Sequence, residues 1–368
     1  MTIASAQFKM SEGSKKVATT MAVVENFYVD KVDDQKLAED AIKSLLEKLD
    51  PHSTYISADE VKEMNEPLEG NFDGIGISFN MVTDTLYVIE TIAGGPSEKV
   101  GLRAGDKIIY VNDSLIAGVN RSTKYVMSQL KGPKGTLVSV KVLRRGVTDL
   151  LSFNITRAKI PIYSIDAAYM IDSNTGYVRI SRFGATTTKE FQDALIRMKK
   201  EGLENLILDL EYNGGGYMDP AVDLSDEFLG KDKLIVYTEG SRQPRRDWTS
   251  TDKGLFEKGK LVILINEGSA SASEILSGAV QDWDRGVIVG RRSFGKGLVQ
   301  RPIPLPDESM IRLTVARYYT PTGRSIQKPY TSGDMTSYNL DVIERYNKGE
   351  MMHADSIHFP DSLKYKTL

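Results

Sequence analysis

The chain has 368 residues, 40% of them hydrophobic and 26% charged, with 47 basic against 50 acidic side chains and a formal charge of -3. That length accommodates two or three domains with ample buried core, and the near balance of charge implies no nucleic-acid or other polyanion partner. The absence of cysteine excludes disulfides, thiolate metal sites and cysteine nucleophiles, and only three histidines, His52, His353 and His358, are present to build a histidine triad or metal centre.

The opening stretch MTIASAQFKMSEGSKK lacks the apolar core of a signal peptide, and no run approaches the roughly 18 apolar residues of a membrane helix. From Ser14 to Lys48, Val17, Met21, Val24 and Phe27, then Leu37, Ala41 and Leu45, fall at helical spacing, so two helices are expected with VDKVDDQ as the break. A turn in LDPHSTYIS and a short helix from Ser57 follow, where Ser57 and Glu60 fit a capping box.

Between Asn71 and Ala158 the pattern becomes short strands separated by glycine turns: GIGISFNM, TLYVIET, DKIIYVN, VSVKVLR and LLSFNIT, interrupted by one helix, STKYVMSQLKG. A third region alternates strand and helix: TGYVRISRF, the helix TTTKEFQDALIRMKKEG, the strand NLILDL, then LVILINEG, the helix SASEILSGAVQDWD and the strand GVIVG. Phe191, Ala194, Leu195 and Met198 line one face of the first of these helices, and Thr187 with Glu190 reads as a capping box. Strands this poor in polar residues suit a largely parallel sheet covered on both faces by helices. The tail beyond Tyr330 is polar, with one weak helix.

Three stretches of the third region carry candidate chemistry. In NEGSASASEI, Ser271 and Glu274 satisfy the S-x-x-E capping pattern, which accounts for the serine as a helix cap. A strand running through glycine into a helix is equally the way a serine hydroxyl is raised at the carboxyl edge of a parallel sheet beside free amides. A serine nucleophile needs a base, and with histidine scarce, lysine is the alternative. Lys296 in RRSFGKGLVQ lies between two glycines just beyond an apolar strand; it is either a surface lysine in a turn or an inward one whose burial leaves the amine partly neutral. Gln300 is either solvent-facing or holds that amine by a hydrogen bond. In LDLEYNGGGYMDP, the glycines after a buried strand are either a plain turn or a source of bare amides for an oxyanion, and Asp209 is expected to pack the strand end.

The array GSASASEI, followed by FGKGLVQ and preceded by DLxxNxGG, resembles the C-terminal processing (tail-specific) serine peptidases. The resemblance implies Ser271 as nucleophile, Lys296 as general base and Gln300 as the residue orienting it. The implied oxyanion donors are the amides of Ala272 and of the pair Gly215 and Gly216, with Gly216 favoured, while Ser269 and Ser273 are bystanders. GNFDGIGISF, with GGPSEKVGLRAGDKIIYVND downstream, resembles a PDZ domain whose loop Gly74, Ile75, Gly76 and Ile77 would grip a C-terminal carboxylate while the peptide adds as a strand. LDPHSTYIS is similar to the family segment between the N-terminal helices and the PDZ domain.

The implied architecture is a multidomain α/β protein: a helical region at 1–68, a PDZ domain at 69–158, a layered α/β peptidase domain of the crotonase-like or ClpP-like type at 159–330, and a C-terminal segment at 331–368. The implied activity is endopeptidase cleavage of polypeptides with exposed C-termini, with no metal or organic cofactor, in the cell envelope, periplasmic or anchored at the membrane periphery. A homo-oligomer or an adaptor protein is a further implied partner. Glu211 stands where the family usually carries arginine, a charge reversal that makes a peptide-binding PDZ scaffold with impaired chemistry the alternative. An acyl-transfer or hydratase-type enzyme on a related sheet is a further reading, for which no thioester pocket is specified. The family usually continues beyond the point corresponding to Leu368 into a further glycine-rich and strand segment.

Overall fold

The computed structural model describes residues 10–353 and 367–368. His358 and the first nine residues of the opening stretch lie outside the described residues. The two expected N-terminal helices are Glu12–Phe27 and Asp34–Glu47, capped by the side chains of Ser11 and Asp33. The first buries none of its residues and the second only Leu46, so Val17, Phe27 and Leu45 stay exposed among the described residues.

The segment after them is held by Asp50. Its carboxylate accepts from the backbone N–H groups of His52 and Ser53 at 2.9 Å each, from Ser53 Oγ at 2.6 Å and from Thr314 Oγ1 at 3.0 Å. That fastening lays Thr54–Ile56 as an antiparallel strand against Met310–Tyr319. The helix Ala58–Glu69 begins at Ser57, where Glu60 accepts from the Ser57 N–H at 3.0 Å and from its hydroxyl at 2.7 Å, as the spacing predicts.

The strand-rich region folds as an antiparallel sheet in the order Ile77–Val82, Thr85–Thr91, Lys107–Val111, Leu137–Leu143, Leu151–Thr156, with Ser114–Leu115 pairing on Lys107–Val111. Val138, Val140 and Val142 alternate inward with period two and meet Leu86, Ile108 and Val126 in a core of their own. The helix Thr123–Leu130 was legible; the short helix Pro96–Lys99, begun by proline at its first turn, was not. Asn71–Gly74 pairs with Ala158–Pro161, so the two ends of the region leave side by side.

The third region is built on a second sheet in chain order: Ile165–Met170, Thr175–Ile180, Asn205–Asp209, Lys260–Ile265, Val287–Gly290. The first pairing is antiparallel and the other three are parallel. Helices Thr187–Lys200, Met218–Asp226 and Ala272–Asp282 bury Phe191, Leu195, Leu224, Ile275 and Leu276 against it. Thr187 and Glu190 do not form the expected capping box. Thr187 is the first helical residue and donates to Ser164 Oγ at 2.8 Å, while Glu190 reaches the Ser164 and Ile165 N–H groups at 2.9 and 3.1 Å, tying the helix to the first strand.

A third, antiparallel sheet was not expected: Leu234–Gly240, Gln243–Thr249, Leu298–Pro304, Met310–Tyr319 and Thr54–Ile56. Its hairpin strand QPRRDWT is almost wholly exposed, so it carries no alternation of apolar and polar residues to read. The helix of the polar tail is Met335–Asn347, which buries Tyr338 and Arg345.

Candidate active site

The glycine, serine and lysine stretches leave the carboxyl ends of three neighbouring parallel strands. Asp209 pairs with Leu264, Leu264 with Val289 and Ile265 with Gly290, so the three chains emerge from one row of the ladder. That edge is where open α/β sheets gather ligands, because three loops and a helix N-terminus converge there.

Of the three serines, two are committed to holding this edge together. Ser269 Oγ accepts from the Asn266 N–H at 2.9 Å and donates to the Leu210 carbonyl at 2.7 Å; Ser273 Oγ donates to the Asn213 carbonyl at 2.9 Å. Both are fully buried. Ser271 is half-buried and sits at φ 56°, ψ -108°, left-handed backbone that costs a non-glycine residue roughly 1–3 kcal/mol. The predicted capping box is present, the Ser271 side chain facing the Glu274 N–H and the Ser271 N–H donating to Glu274 Oε2 at 2.7 Å. The Glu274 N–H donates to the Ser271 carbonyl at 2.9 Å, and among the described residues Ser271 Oγ makes no hydrogen bond.

Glu274, read from sequence only as a capping partner, holds both loops. Its buried carboxylate accepts from Ser271 N at 2.7 Å and Lys296 N at 2.8 Å on one oxygen, and from Ser293 Oγ at 2.7 Å and Gly295 N at 2.6 Å on the other. Burial raises its pKa, and these four donors oppose the rise. One carboxylate oxygen thus bridges the backbone of Ser271 and that of Lys296. The Lys296 ammonium is disfavoured first by burial and then by the nearby Arg312 guanidinium, with Glu274 opposing, so its pKa lies below the ordinary 10.5.

The glycine loop packs directly on the serine. Gly215 has φ 98°, and a side chain there would stand 2.9 Å from Ser271 Cβ and 3.0 Å from the Ala272 nitrogen. Of the two glycine amides expected as donors, that of Gly215 is already taken, its N–H donating to Asn213 Oδ1 at 2.9 Å. Among the described residues neither the Gly216 N–H nor the Ala272 N–H has an acceptor, the latter being the first amide of its helix. Asn213, which the sequence reading left without a role, fixes the loop. Its Nδ2 donates to the Ile180 carbonyl at 2.8 Å, and its carbonyl accepts from the Ala270 N–H at 3.0 Å.

Gln300 does not hold the lysine. Its Nε2 donates to the His52 carbonyl, and among the described residues Lys296 Nζ has no hydrogen bond to either Gln300 or Ser271. His52 Nε2 meets Tyr338 Oη at 2.7 Å, so the N-terminal turn and the tail helix close together over the lysine loop. Burial first, then Lys296, pushes the imidazole pKa down to about 4, leaving it neutral above that range. The tail was the least legible part of the chain, yet Arg345 anchors it to the Arg292 and Ser293 carbonyls.

Asp209 packs the strand end as expected, bonded by Tyr177 Oη at 2.5 Å and by the Glu211 N–H at 2.8 Å. The reversed charge of Glu211 lies near Arg291, whose pKa is raised first by its hydrogen bond to Glu267 and in smaller part by Glu211.

The loop Gly74, Ile75, Gly76, Ile77 lies apart from this edge, lining a groove of about 110 Å³ with Phe72, Leu130 and Lys131. The Ile75 carbonyl accepts from Ser97 N at 3.1 Å and Ser97 Oγ at 2.7 Å. Among the described residues the Ile75 and Gly76 N–H groups have no acceptor. Gly76 has φ 72°, and a side chain there would press on Ile160 Cδ1 at 2.9 Å.

Residues 174–337 match peptidase family S41, residues 74–155 match a PDZ domain, and residues 2–60 match the activating protease CtpB N-terminal domain. A carboxy-terminal-processing protease of Bartonella bacilliformis is 39% identical over 307 residues, 82% of this chain and 69% of that protein. The carboxy-terminal processing protease CtpB of Bacillus subtilis is 34% identical over 330 residues, 88% of this chain and 68% of that protein. Among solved structures, a photosystem II D1 C-terminal processing protease aligns over 88% of this chain and 92% of its own, at 29% identity and a TM-score of 0.48.

Proposed function

The chain belongs to peptidase family S41 and is a serine-type peptidase with a PDZ domain, and on that premise we propose that Ser271 is its nucleophile and Lys296 its general base. The observation that carries this reading is the Glu274 carboxylate, one oxygen of which holds both Ser271 N at 2.7 Å and Lys296 N at 2.8 Å. Neutral Lys296 takes the Ser271 proton as Oγ attacks the scissile carbonyl. The Gly216 and Ala272 N–H groups receive the developing oxyanion, each such donor being worth roughly 3 kcal/mol. Lys296 then protonates the leaving amine, and water activated by the same amine releases the acyl-enzyme. Gln300, whose Nε2 is taken by the His52 carbonyl, orients the lysine through its Oε1, which accepts from the amine.

The substrate, by likeness to relatives named for carboxy-terminal processing, is a polypeptide with an exposed C-terminus. Its terminal carboxylate is received by the Ile75 and Gly76 amides while the cut falls at Ser271. The setting we infer is extracytoplasmic; no described helix is long and apolar enough to cross a membrane. The Ser271→Ala chain should lose cleavage of an unfolded test protein while keeping its affinity for a C-terminal peptide. Normal cleavage by that variant refutes the assignment.

A further inference from the structure

The guanidinium of Arg312 differs from others in this chain. Arg144 gives Nε and Nη2 to the Asp106 carboxylate, both at 2.7 Å. Arg291 gives the same edge to Glu267 at 2.6 and 3.2 Å, and Arg292 gives it to Glu350 at 2.8 and 2.6 Å. On Arg312 that edge has no partner among the described residues. Its Nε is buried without a hydrogen bond, and the guanidinium's one bond runs from Nη1 to the Met64 thioether, a weak acceptor, at 3.5 Å. A guanidinium cannot shed its proton, so leaving it partly desolvated and unpaired is unfavourable unless something else uses the charge.

Its place in the sheet says what. Arg312 lies opposite Pro302 and Thr54, while Gln300 lies opposite Thr314. Directly opposed residues share a face, so Arg312 and Gln300 stand on the same face, two residues and about 7 Å apart along the strand. The Arg312 charge also acts on His52 and Lys296, so it lies within electrostatic range of the lysine amine. With Nε closed off and Nη1 on the Met64 thioether, Nη2 is the free group that a carboxylate can meet in a charge-assisted hydrogen bond.

We propose that Arg312 is a substrate-binding residue whose Nη2 receives a carboxylate of the polypeptide drawn across Ser271 and Lys296. The site then favours chains with an acidic group close to the cut. The inference rests on the reading of Ser271 and Lys296 as the cleaving pair. The carboxylate comes either from an Asp or Glu side chain or from the free terminus of a short tail beyond the cut.

Peptides amidated at the C-terminus, and so unable to offer the Ile75 and Gly76 loop a terminal carboxylate, carry Glu at successive positions on either side of the cut, each matched by a Gln isostere. A further set is neutral throughout and ends in a free carboxylate shortly after the cut. The full chain reports kcat/KM, and the Ser271→Ala chain reports Kd for the same peptides. In at least one register the carboxylate should win by roughly tenfold in both readouts, the scale of one charge-assisted contact. Arg312→Gln should bring the ratio to about one, and Arg312→Lys should keep part of it. Which set shows the ratio identifies the source. Equal values for carboxylate and amide in every register, or a ratio that survives Arg312→Gln, overturns the proposal. If nothing is cut yet Ser271→Ala still binds the carboxylate peptides preferentially and Arg312→Gln removes that preference, the subsite stands and the peptidase assignment falls.

Discussion

In the role of base proposed for it, Lys296 acts only while its amine lacks a proton, and its surroundings decide at what pH that holds. Burial and Arg312 push its pKa below 10.5, Glu274 opposes them, and His52, with a pKa of about 4, adds no charge near neutrality. Because the neutral form is the active one, activity should climb as pH rises through the lowered lysine pKa and fall on acidification. Lys296→Arg should be inactive throughout, since a guanidinium keeps its proton. A kcat/KM profile that is flat, or that declines between about pH 6 and 8, would contradict the assignment. At this scale the sequence was most legible for Ser271 and Lys296, whose short motifs keep their spacing in any fold. It was least legible for Gln300, whose partner is a carbonyl 248 positions away in the chain.

The strained turn into helix Ala272–Asp282 and the glycine loop act as one element. Ser269, Ser273 and Asn213 stitch them with bonds to the Leu210, Asn213 and Ile180 carbonyls. Asn213→Ala removes the acceptor of the Gly215 N–H and the donor to Ile180, so the Gly216 amide should lose its fixed direction. We expect kcat to fall by about 10²–10³, as for loss of an oxyanion donor, with C-terminal peptide affinity unchanged. A fall confined to KM would mean that the loop only binds substrate. Periodicity found the helix because Ile275, Leu276, Ala279 and Val280 repeat on one face. It assigned Glu190 to a local cap because sequence proximity is all that a capping motif can see, whereas the side chain reaches a strand.

The two large hydrophobic clusters of the molecule share no residue: one is centred on Val140, Ile108 and Val126, the other on Phe183, Leu208 and Leu276. The paired strands Asn71–Gly74 and Ala158–Pro161 bring the ends of the first together. A fragment of residues 70–161 should therefore unfold cooperatively by itself and bind a peptide through its terminal carboxylate, with loss of affinity on amidation. An aggregated fragment, or one indifferent to amidation, would show that the groove needs the rest of the chain. The active edge depends on distant segments, since His52 and Tyr338 meet across 286 positions at 2.7 Å.

Local order alone determined most of the helices, the strands of the first two sheets and the chemical motifs, because apolar period, glycine turns and the spacing of Ser271 and Lys296 are short-range properties. Only the folded chain decided which serine is free, which glycine amide is open, and that Glu274 joins the backbones of Ser271 and Lys296. Those outcomes depend on which donors and acceptors meet once remote segments pack, and on burial, which disfavours the charged form of Lys296 and leaves Arg312 Nε without a hydrogen bond among the described residues.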